Sequence, residues 1–65
     1  GYGFMEFDTQ DYLKKALLDT QERVRDFMNY AEQVDGGELQ KFFRNYAESE
    51  SRQAQKMRSY LDQQK

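Results

Sequence analysis

The chain has 65 residues, 12 of them acidic and 10 basic, for a net charge of -2. It contains no cysteine, histidine or proline, which removes disulfide staples and both thiolate and imidazole metal ligands. The charges are interleaved rather than gathered into the basic face that nucleic acid requires, and no apolar run approaches the ~18 residues of a membrane span.

A chain of this length makes one domain at most, and a core this small supplies only ~3–5 kcal/mol. Without disulfide or zinc, the remaining routes to stability are well-packed helices and oligomerisation. No secretory signal core is present, so a cytoplasmic protein is the expectation.

In chain order, residues 1–7 read as an N-terminal arm. Gly1-Tyr2-Gly3-Phe4 precede Met5 and resemble an added remnant, with a frayed arm expected and docking of Tyr2 and Phe4 on an apolar surface as the alternative. A first helix is expected from about 9 to 34, capped by Asp8 or Thr9, with Asp11 adding favourable charge to its first turn. Its seam is Leu13, Leu17, Thr20, Val24, Phe27, Ala31 and Val34, in alternating steps of four and three. Ala16 and Met28 widen the stripe.

Val34-Asp35-Gly36-Gly37-Glu38 is the break signal, with a turn expected over 35–37. Either glycine can end the first helix in the left-handed conformation, and Asp35 or a glycine can cap the second. So short a connection makes the helices antiparallel neighbours. The second helix is expected over about 38–61, with residues 63–65 frayed and a seam through Leu39, Phe43, Tyr46, Glu50, Gln53, Met57 and then Tyr60 or Leu61.

Folding the chain about Gly36 puts Thr20 level with Glu50–Gln53, because the two helices rise equally per residue. The three polar interruptions of the seams, Thr20, Glu50 and Gln53, then share one height as a polar core layer. A buried Glu50 must find hydrogen bonds or a cation, and Gln53, Thr20, Arg23 and Arg52 are the candidates. Two helices alone do not hide both apolar stripes. Leu17, Val24, Phe27, Met28, Phe42, Phe43, Tyr46 and Met57 form the expected interface, through which two hairpins pair as a homodimer or one hairpin receives a partner helix. The expected fold is therefore all-α, an antiparallel two-helix hairpin dimerising into a four-helix bundle.

The segment Phe42–Leu61, "FFRNYAESESRQAQKMRSYL", resembles the second helix of rubrerythrin and other ferritin-like proteins, and "FMNYAEQ" from Phe27 to Gln33 resembles the helix before it. The resemblance covers roughly residues 12–61 and implies half of a ferritin-like bundle. In that family an A-E-x-E-x-x-H pattern supplies a metal-binding glutamate and histidine one turn apart. Glu50 matches the glutamate, Gln53 stands where the histidine belongs, and Thr20 falls about where the first helix supplies its glutamate, with Asp19 and Glu22 nearby. One ligand of three is kept. The rhythm of Tyr30, Ala31, Gln33, Glu38, Lys41, Asn45 and Ala47 also resembles a family of short, uncharacterised helical proteins of spore-forming bacteria.

A metal reading would use two Glu50 carboxylates of a dimer, helped by Gln53 and Thr20 oxygens, and would suit manganese or magnesium. The simpler reading is a satisfied polar layer that fixes register and partner number. Catalysis finds no support: Ser49, Ser51 and Ser59 have no histidine to activate them. No cofactor and no small-molecule substrate is expected, and a non-enzymatic, self-associating or interaction-mediating role follows.

Overall fold

A computed structural model describes residues 8–63. The expectations for residues 1–7, and for 64 and 65, lie outside the described residues. Among those described the chain is two antiparallel helices, α1 (Thr9–Gln33) and α2 (Gly37–Gln63), packed side by side. The second helix continues two residues past Leu61, through Gln63.

α1 opens on a reciprocal cap. The Asp8 side chain accepts the Asp11 backbone N–H at 3.0 Å, and the Asp11 carboxylate accepts the Asp8 N–H at 3.2 Å. Two otherwise orphaned donors are satisfied, and Asp11 sets negative charge against the positive end of the helix. The helix stops at Val34, which is extended although its N–H still donates to the Tyr30 carbonyl at 3.0 Å.

Gly36 then takes φ +100°, the left-handed region where a side chain is strained. A Cβ at Gly36 would meet nothing within 4 Å, so the requirement for glycine is conformational rather than steric. Gly36, rather than Asp35, stands before the second helix: its carbonyl accepts the Gln40 N–H at 3.1 Å. The Gln40 side-chain amide reaches back to the Val34 carbonyl at 3.1 Å and ties the turn shut.

The register between the helices is read from three cross-helix pairs. Arg23 meets Glu50, Phe27 meets Tyr46 and Tyr30 meets Phe43. Steps of four and three up α1 are matched by equal steps back along α2, as antiparallel helices of equal rise require.

The buried seam is built from small residues. Ala31, Ala47, Thr20 and Ala54 are 0, 1, 4 and 8 % exposed, and among the described residues no large side chain is fully buried. On α1 the seam follows the expected rhythm, through Leu13, Leu17, Thr20, Val24, Phe27, Ala31 and Val34. On α2 it differs from the expectation. The half-buried and buried positions are Gln40, Phe43, Ala47, Glu50, Ser51, Ala54, Met57 and Leu61, whereas Leu39, Tyr46 and Gln53 are exposed. The reason is steric. Distance between helix axes depends on the side chains at the contact, and methyl groups at 47 and 54 let the backbones close where a leucine or tyrosine would hold them apart. The larger apolar groups are thereby shouldered onto a flank.

Candidate interaction surface

Helical spacing sorts the exposed residues of the hairpin into two flanks. On one flank α1 presents Asp19, Arg23 and Tyr30, in steps of four and seven, and α2 presents Phe42, Tyr46 and Gln53 in the same rhythm. This flank carries an aromatic cluster at the turn end and an ion pair at mid-height.

Five rings make the cluster. Phe27 lies 4.6 Å from Tyr46, 5.4 Å edge-on from Phe43 and 5.5 Å from Tyr30 between ring centroids. Phe43 meets Tyr30 at 5.7 Å and Phe42 at 5.5 Å, both edge-on, and Phe42 lies 6.2 Å from Tyr46. All fall within the separations at which edge-to-face and tilted pairs attract beyond their buried area. The cluster is nonetheless open to water: Phe42 remains 54 % exposed, Tyr30 43 % and Tyr46 40 %. Tyrosine tolerates this through its hydroxyl, but Phe42 has no polar handle.

The mid-height ion pair joins Arg23 Nε, which donates, to Glu50 Oε1 at 2.6 Å. The carboxylate is the more enclosed partner, with the Glu50 side chain 20 % exposed and that of Arg23 46 %. The hydrogen bond to Glu50 and the charge of Glu50 hold the Arg23 guanidinium above its ordinary pKa. A cation favoured in the folded state stabilises at every pH below its unfolded pKa, and the gain is lost only as pH rises through the raised value. For Arg23 that window lies in strongly alkaline solution, so the guanidinium stays charged across ordinary pH. Beside it, Asp19, Glu22, Arg23, Asp26 and Phe27 line a shallow depression, and Lys15 donates to Asp19 at 2.8 Å.

The expected polar layer is thus brought together only in part. Thr20 is buried in the seam, Glu50 is half-buried at its edge, and Gln53 is exposed on the flank. Arg23, one of four candidates, is the partner of Glu50. Among the described residues no buried side-chain polar atom lacks a hydrogen-bond partner, and no group of three or more acidic side chains is gathered as a metal site.

The expected interface residues divide in the same way. Leu17, Val24, Phe27, Phe43 and Met57 are half-buried within the hairpin, while Phe42, Tyr46 and Met28 are exposed. Met28 is two residues from Tyr30 and so faces the other flank. That second flank is more polar: a shallow groove there is lined by Gln21, Val24, Ser51, Ala54, Gln55 and Arg58. No helix among the described residues is long and apolar enough to cross a membrane.

Compared with protein-family models, curated proteins and solved structures, the chain matches none of them.

Proposed function

We propose that the hairpin is a non-enzymatic association module whose aromatic flank is completed by another helical surface, giving a four-helix bundle. The observation that carries this reading is the separation of small from large side chains. Ala31, Ala47, Ala54 and Thr20 hold the most buried positions of the seam, while Phe42, Tyr30 and Tyr46 sit on one flank, between 40 and 54 % exposed. Single exposed apolar residues are ordinary, but a contiguous aromatic patch marks an interaction site. The hairpin is also only one helix layer deep, with a Cα extent of 10 Å in its thinnest direction, and helices bury a stripe stably when a second layer covers it.

A mid-height ion pair suits such a module. Buried polar contacts in helical bundles cost some stability and fix register and partner number. Glu50 and Arg23 would serve that role, with the aromatic cluster supplying affinity. The test is thermal unfolding across a range of protein concentrations. A self-associating module melts with a midpoint that rises with concentration. A cooperative melt with a midpoint independent of concentration would contradict self-association.

A further inference from the structure

We infer that Asp35 is a site of spontaneous covalent modification, at which the Asp35–Gly36 peptide isomerises through a cyclic imide to an isoaspartyl linkage. The inference is independent of the association reading above.

The chemistry needs three things at one peptide bond. A carboxyl group must stand one methylene from the backbone, the next nitrogen must be free to turn toward it, and the next residue must not crowd the ring. Six aspartates occur in the chain, and only Asp35 precedes a glycine. Asp35 and Gly36 are exposed, between the end of α1 and the start of α2. Among the described residues, no hydrogen bond or ion pair holds the Asp35 carboxylate or the Gly36 N–H. A Cβ at Gly36 would meet nothing within 4 Å, so the peptide has room to rotate, and glycine presents no side chain to the closing ring.

The other five aspartates are held by the fold. Asp11, Asp19, Asp26 and Asp62 lie within α1 or α2, where backbone angles are fixed and the following N–H is committed to the helix ladder. The N–H of Tyr12, after Asp11, donates to the Asp8 carbonyl at 3.2 Å. The Asp8 carboxylate accepts the Asp11 N–H at 3.0 Å, and a threonine follows it. Asn29 and Asn45, which could close the same ring by losing ammonia, are also helical.

The step balances with water alone. The Gly36 nitrogen bonds to Asp35 Cγ, and its proton leaves with the carboxyl hydroxyl as water, giving a five-membered imide. Water then adds back at one of the two imide carbonyls. Breaking the bond from nitrogen to Cγ restores aspartate. Breaking the bond from nitrogen to the backbone carbonyl carbon leaves the chain running through Cβ and Cγ. Nothing is oxidised or reduced. The product has one extra backbone atom, which adds ~1.5 Å of path between Val34 and Gly36. Gln40 holds the carbonyls of both, each at 3.1 Å, so the change loosens the turn.

The whole chain is held for weeks at near-neutral pH, folded in one sample and unfolded in guanidinium in another. Isoaspartate is then located by peptide mapping with electron-transfer mass spectrometry. Helical sites open rarely and loop sites freely, so isoaspartate in the folded chain is expected at position 35 at least about tenfold above any other aspartate. Its rate there is expected to be within about threefold of that in the unfolded sample. Hydroxylamine, which cleaves the imide, is expected to cut between residues 35 and 36, and Asp35→Glu to abolish both signals. Folding that slows the reaction at 35 by tenfold or more, or a folded chain without isoaspartate there, would overturn the inference. The purified isomerised chain is expected to melt below the unmodified one, and equal midpoints would overturn the loosening of the turn.

Discussion

Arg23 and Glu50 are joined across the hairpin by a 2.6 Å charge-assisted hydrogen bond at mid-height, between a seam of small residues and a flank of large aromatic ones. The pair is half open to water, and exposed ion pairs contribute little to stability. Its consequence is for specificity. It puts one positive and one negative charge on the surface that a second hairpin would meet.

Charge reversal tests that role. Arg23→Glu alone and Glu50→Arg alone each leave two like charges at mid-height, within the chain and across a dimer. An equimolar mixture of the two variants opposes unlike charges between chains. Native mass spectrometry is expected to find the heterodimer well above the statistical half, and the doubly reversed R23E/E50R chain is expected to associate like the parent. Single variants that dimerise as the parent does, with no preference in the mixture, would mean that the pair lies outside any interface.

The aromatic flank makes a separate prediction. Phe42→Lys alters a side chain that is 54 % exposed, so within an isolated hairpin its effect should stay within about 0.5 kcal/mol. If the flank is an interface, the variant weakens self-association at least tenfold while helix content by circular dichroism is retained. Leu18→Lys is the control, because Leu18 is 65 % exposed and faces away from that flank. It is expected to leave the mass unchanged, and equal effects of the two substitutions would argue against a specific surface.

The seam predicts a different failure. Ala47 is 1 % exposed and sits in the seam between the helices. Ala47→Leu overfills that contact and is expected to cost about 1–3 kcal/mol, or roughly 4–8 °C of melting temperature per kcal/mol in a domain this small. A sequence count of apolar residues would instead expect leucine to be neutral or favourable. Chemical denaturation decides between them.

How far the sequence revealed these features depends on residue size. On α1 the seam residues are apolar or nearly so, and hydrophobic spacing alone traces them from Leu13 to Val34. The glycine break and the antiparallel register were legible for the same elementary reason, since chain direction and rise leave few alternatives. On α2 the spacing misleads. Leu39 and Tyr46 outweigh Ala47 and Ala54 on any hydrophobicity scale, yet the alanines hold the seam because close approach rewards small side chains. Gln53, one step from Ala54, is carried onto the flank by the same rotation. Arg23 was one of four candidates for Glu50. Choosing among them required knowing which side of the seam each occupies, a tertiary fact that periodicity on a single helix does not contain.

Metal binding can be judged against that geometry. The Glu50 carboxylate is engaged by Arg23 and Gln53 points to the flank side of α2, so the three positions that match ferritin-like ligands are not drawn to one point. Titration with Mn²⁺ by calorimetry is expected to give no binding heat. Saturable heat that disappears in Glu50→Ala would reverse this and favour a metal-bridged pair of hairpins.

The most direct test of the central claim is solution mass by light scattering on a size-exclusion column. A single species at twice the 7.8 kDa of the chain, dissociating on dilution, is the predicted result. A monomer at 7.8 kDa that remains fully helical and unfolds cooperatively would contradict it, because the seam of small residues would then suffice alone.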